Sequence, residues 1–148
     1  MPQPKKAPIR KPSSPRGTRS VDLLPVKVRP GESEVRITIT PPAGNVFNPS
    51  VPFELHAKAF GEAVDLDPSS LHLVSPEPAF PYGIPARFRP GAGRVDLDVV
   101  AYYCDDEESR ICCYQHVRLR LAIHVDEGAE EARAVVSYRL AHPEVATA

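Results

Sequence analysis

From His116 to Val125 the chain alternates without a break: Val117, Leu119, Leu121, Ile123 and Val125 are set apart by Arg118, Arg120, Ala122 and His124. A period of two puts the five apolar side chains on one face of an extended strand, whereas a helix would scatter them around its circumference. Ser33–Thr40 repeats the pattern through Val35, Ile37 and Ile39. So do Phe53–Ala59, Val95–Tyr103 and Ala132–Leu140. Shorter candidates are Val21–Val28, Leu71–Val74 and Ala86–Phe88. Proline enforces the same conclusion. Eighteen are spread along 148 residues, and each removes a backbone donor and obstructs a helical turn, which excludes a helical bundle. Pro30-Gly31, Pro41-Pro42-Ala43-Gly44, Pro68-Ser69-Ser70, Pro81-Tyr82-Gly83 and Pro90-Gly91-Ala92-Gly93 supply turns between the runs. Asp126–Glu131 reads as a hairpin loop rather than a helix. Seven or eight strands with one apolar face each call for two sheets packed face to face, an all-β antiparallel sandwich.

Charge divides the chain unequally. Residues 1–20 hold six basic side chains, five prolines and no acid, which leaves residues 21–148 with a net charge of −7. Too few apolar groups lie in 1–20 to offset the entropy of ordering them, so a disordered Pro-rich basic tail or linker is expected there. The sandwich is expected over 21–141, with a short C-terminal tail over 142–148. A basic arm can touch nucleic acid, but no aromatic residue is interleaved for base stacking, and a solvated linker is the expectation. No apolar run approaches the roughly 20 residues of a membrane span. The N-terminal residues lack the apolar core of a secretory signal, so a cytoplasmic location is expected, with export reserved for the case that the chain is a fragment.

Residues with chemical potential are few. There is no Gly-rich phosphate loop and no nucleophile elbow. His56, His72, His116, His124 and His142 read as solvated side chains, mostly at outward strand positions, and Asp105-Asp106-Glu107-Glu108 as a solvated turn. Three cysteines remain. Seven residues, DDEESRI, separate Cys104 from Cys112 and are polar enough for a hairpin loop, so the first ends one strand and the second begins the next. Cys104 shares parity with Tyr102 and Val100, and Cys112 with Tyr114 and His116, both off the core face; Cys113 shares parity with Val117 and points inward. Two cysteines at the mouths of paired strands can meet the roughly 4.4–6.8 Å Cα spacing of a disulfide. Three readings stay open on these grounds: a Cys104–Cys112 dithiol/disulfide pair, a zinc site from Cys104, Cys112, Cys113 and His116, or three inert thiols. In a reducing compartment a permanent structural bond is disfavoured.

The segment VDLLPVKVRPGESEVRITITPPAGNVFNPSVPFEL and the later VDLDVVAYYCDDEESRICCYQHVRLRLAIHV resemble the C-terminal β-domain of NHL-repeat thioredoxin-like proteins. That domain is itself similar to the N-terminal immunoglobulin-like domain of the thiol:disulfide interchange protein DsbD. The resemblance spans about residues 21–141 and is most specific at Tyr102-Tyr103-Cys104 with Cys112. It implies an immunoglobulin-like sandwich in which Cys104 and Cys112 pass electrons to or from a thioredoxin-like partner. Phe80 and Tyr82, within Glu77–Gly83, are similar in type to the aromatic loop that shields the pair in DsbD. Here the loop between the cysteines is longer and acidic, Cys113 is an additional thiol, and Tyr114-Gln115 replaces an aromatic-Pro-Pro. The loop carboxylates should raise the thiol pKa, with Arg110 offsetting them in part. No thioredoxin C-x-x-C is present, so the partner is expected on another polypeptide. The expected function is therefore a thiol–disulfide exchange or protein-interaction module that needs no cofactor and acts with a partner rather than as an enzyme on its own. A purely structural interaction domain is the alternative.

Overall fold

A computed structural model describes residues 18–105 and 111–141. Eleven strands run through these residues: β1 (Thr18–Asp22), β2 (Val26–Val28), β3 (Gly31–Thr40), β4 (Asn45–Phe47), β5 (Phe53–Phe60), β6 (Val64–Leu66), β7 (His72–Ser75), β8 (Tyr82–Phe88), β9 (Gly91–Asp105), β10 (Cys112–Val125) and β11 (Ala134–Arg139). Among the described residues, the 3-10 turn Pro68–Ser70 is capped by Asp67, whose carboxylate accepts from both serine hydroxyls. The chain is the all-β sandwich that the alternation requires.

The larger sheet runs β1-β10-β9-β5-β7, with β2 beside β10 and β4 beside β9; the smaller runs β11-β3-β8-β6. Their centres are antiparallel, through β9–β10, β5–β9 and β3–β8. Three outer pairings are parallel instead: β1 and β2 on β10, and β11 on β3. β1 and β2 follow one another along the same edge of β10, whereas β11 reaches β3 by a crossing from the other sheet. Asp126–Glu131 is that crossing. It joins β10 in the large sheet to β11 in the small one, so it is not the hairpin loop expected from its composition.

Alternation survives almost residue for residue. Val95, Leu97, Val99, Ala101 and Tyr103 of β9 are buried, as are Val117, Leu119, Leu121, Ile123 and Val125 of β10. They meet Val35, Ile37 and Ile39 of β3 and Ile84 and Phe88 of β8 in one core. Burying such side chains is worth roughly 1.5–3 kcal/mol each, which is why the register is fixed. Two strands escape a periodicity reading because three residues, as in β4 and β6, hold too little pattern. The tail boundary also moves. β1 starts at Thr18, inside the segment expected to be a tail, and pairs Thr18–Asp22 with His116–Arg120. Strand pairing satisfies backbone groups and does not need apolar side chains, so Thr18, Arg19 and Ser20 join the sheet while staying exposed. Residues 1–17 and 142–148 lie outside the described residues. Among the described residues no helix is long and apolar enough to cross a membrane.

Candidate functional site

β9 and β10 form the longest ladder of the molecule, and its register places Cys104 directly opposite Cys112. Just beyond them the Asp105 N–H donates to the Ile111 carbonyl at 2.9 Å. In an antiparallel ladder hydrogen-bonded and non-hydrogen-bonded pairs alternate, so the neighbouring cysteine pair occupies a non-hydrogen-bonded position, where facing side chains are closest. The two sulfurs are bonded as a disulfide, with Cα atoms 3.9 Å apart, nearer than the spacing expected from the sequence. The Asp105 carboxylate also accepts from the Ile111 N–H at 3.1 Å, which ties down the end of the hairpin.

The parity reading places the three thiols correctly. Cys104 and Cys112 stand on the outer face of the large sheet with Tyr102 and Tyr114, which are themselves opposite one another. Cys113 turns the other way, is half-buried and packs against the core. Burial, and after it the Asp105 charge, pushes the Cys113 thiol above its ordinary value. The ligands of the zinc reading are not brought together, because Cys112 and Cys113 face opposite sides of β10 and Cys112 is bonded to Cys104. Among the described residues no three His, Cys, Asp or Glu side chains are grouped to hold a metal.

The disulfide is asymmetric in a way that parity does not foresee. Cys112 is exposed, whereas Cys104 is 1% exposed. β4 accounts for the difference: Val46 pairs with Cys104 and Phe47 with Tyr103, so the end of β9 is flanked on both sides. Beyond β4, Asn48 donates from Nδ2 to Cys104 Sγ at 3.1 Å. On the same outer face, Val46 (49%), paired with Cys104, and Tyr114 (37%), two residues beyond Cys112, are exposed.

The expected shielding residues sit elsewhere. Phe80 stacks with Phe47 and Phe53 at centroid distances of 6.3 and 5.5 Å, and the Tyr82 hydroxyl donates to the Ser70 carbonyl at 2.8 Å. Phe80 thus reaches the site through Phe47, one residue before Asn48, and the group touching the buried sulfur is Asn48. Tyr103 is fully buried, and its hydroxyl is pushed far above its ordinary value by desolvation and then by Cys113. Arg110, His142 and the acidic residues 106–108 lie outside the described residues. Neither periodicity nor parity singles out Asn48. Its trace in the sequence is Asn48-Pro49-Ser50, a turn in which an Asn side chain accepts from the N–H two residues on. His56 and His72, taken as separate solvated side chains, face each other across β5 and β7 with rings 5.4 Å apart.

No family model and no curated protein matches this chain.

Proposed function

We propose that this β-sandwich exchanges the Cys104–Cys112 disulfide with the dithiol of a thioredoxin-like partner. The observation that carries the reading is the unequal pair: one cysteine exposed at the surface, its bonded neighbour buried. Exchange needs an attackable sulfur and a leaving sulfur, and the two positions differ in that respect. The partner's thiolate attacks Cys112 Sγ, a mixed disulfide forms there, and the electron pair of the broken bond passes to Cys104 Sγ. The partner's second thiolate then attacks its own sulfur in that mixed disulfide and releases Cys112 as a thiolate. Two electrons have moved, the partner is left oxidised, and both cysteines here take up protons from water. Exposed Val46 and Tyr114 on the same face of the sheet offer apolar surface to such a partner. The resemblance at Tyr102-Tyr103-Cys104 and Cys112 supports the same partner class, and a cytoplasmic location would favour a reversible bond over a permanent one.

The test is reduction of the oxidised full chain by reduced thioredoxin, with the intermediate trapped by a thioredoxin variant that lacks its resolving cysteine. Rapid opening, with the trapped partner bonded to Cys112, is expected. A second reading, a hairpin staple in an interaction domain, draws on the Asp105–Ile111 closure beside the bond. A bond that thioredoxin cannot open would select it.

A further inference from the structure

Asn48 is held on every polar side. Its main-chain N–H donates to the Tyr102 carbonyl at 2.9 Å, and its carbonyl accepts from Val51 at 3.4 Å. Its side-chain Oδ1 accepts from the Ser50 N–H at 2.9 Å. That last bond fixes the orientation of the amide, because a backbone N–H can only donate and so selects the oxygen. The NH2 group is thereby turned toward Cys104 Sγ, 3.1 Å away.

A disulfide sulfur is a weak acceptor and gains little from this donor. A thiolate gains much more, since hydrogen bonds to charged groups are about twice as strong as neutral ones. Cys104 is buried, so its thiolate would otherwise form with little solvation. The donor therefore favours the state in which the bond has opened, and it is in place before the reaction begins. We propose that Asn48 is a catalytic residue of the exchange: it stabilises the Cys104 thiolate as the leaving group when an incoming thiolate takes Cys112. This rests on the exchange reading above. No atom is transferred to or from Asn48; the electron pair of the S–S bond stays on Cys104 Sγ until water protonates it.

Asn48→Asp is the discriminating variant, because its carboxylate can still accept from Ser50 while presenting an acceptor to the sulfur. Opening of the oxidised full chain by dithiothreitol should slow at least about tenfold near neutral pH. In the reduced protein, the titration of Cys104 followed by its Cβ chemical shift should move to higher pH. Asn48→Ala should fall between the two, and the thermal midpoint of each oxidised variant shows whether the fold is kept. An unchanged opening rate and an unchanged Cys104 titration in both variants would overturn the assignment. Thioredoxin separates this from the parent reading. If it opens wild type and Asn48→Asp equally fast, exchange stands and the role of Asn48 falls; if dithiothreitol shows the slowing but thioredoxin opens neither, Asn48 stands and the partner class falls.

Discussion

Along the outer face of β9 and β10, the middle of the ladder is a lattice of charges, whereas the end near Asp105 is covalent and aromatic. Asp98 receives Arg118 through two hydrogen bonds of 2.9 and 3.4 Å, Asp96 receives Arg94, and Asp22 of β1 receives Arg120 at 2.9 Å. Two residue pairs further on, the rows become Tyr102–Tyr114 and Cys104–Cys112. On β9 the inner face is alike in both regions, a run of buried Val95, Leu97, Val99 and Ala101 closed by Tyr103, whereas on β10 the aliphatic row gives way near the bond to buried Gln115 and half-buried Cys113. The packed layer makes the strands, and the outer layer is free to carry something else. In the middle it carries solvated pairs of small net value. At the end it carries the Cys104–Cys112 disulfide.

Four changes would break or sharpen this contrast. Leu97→Ala, in the layer common to both regions, should cost the most, about 2–5 kcal/mol, since Leu97 is fully buried. Urea unfolding should show the same loss with and without reductant, because the inner layer does not depend on the bond. Next comes the covalent end. Cys104→Ala with Cys112→Ala should cost about 2–3 kcal/mol in the chain-entropy picture, and reducing the wild type should cost the same. A smaller effect is expected in alkali. Burial holds the Cys113 thiol protonated above its ordinary 9.0, so the fold keeps a proton that the unfolded chain releases. Stability is therefore full below about pH 9 and declines as pH rises past it. Thermal melts should record that decline, and Cys113→Ser should delay its onset toward pH 10.0, where unfolded Tyr103 would begin to ionise. Least is expected of Asp98→Asn in the charged middle: under about 1 kcal/mol, shrinking further as salt is added.

The core was legible because burial on one face leaves a period of two that no other element produces; Val117 to Val125 and Val35 to Ile39 stand where that period puts them. The faces of Cys104, Cys112 and Cys113 followed from the same parity. What the sequence did not expose depends on pairing across the fold. Three-residue β4 has no period to read, yet it buries the end of β9 and delivers Asn48 to the sulfur. β1 has almost no apolar pattern, because its place is held by backbone bonds to β10. Phe80 and Tyr82 were sought at the sulfurs by resemblance; their contacts are with Phe47, Phe53 and Ser70, which adjacency in the chain does not reveal.

Reversibility of the Cys104–Cys112 bond is the central claim, and a redox titration of the full chain against dithiothreitol or glutathione buffers measures it most directly. Exposure of Cys112 and the donor waiting at Cys104 both favour the opened form. The expected result is a reversible two-electron transition with a midpoint less negative than about −300 mV, within reach of a thioredoxin-like dithiol. A midpoint well below that value, or a bond that opens only when the protein unfolds, would contradict the account and leave the disulfide as a hairpin staple.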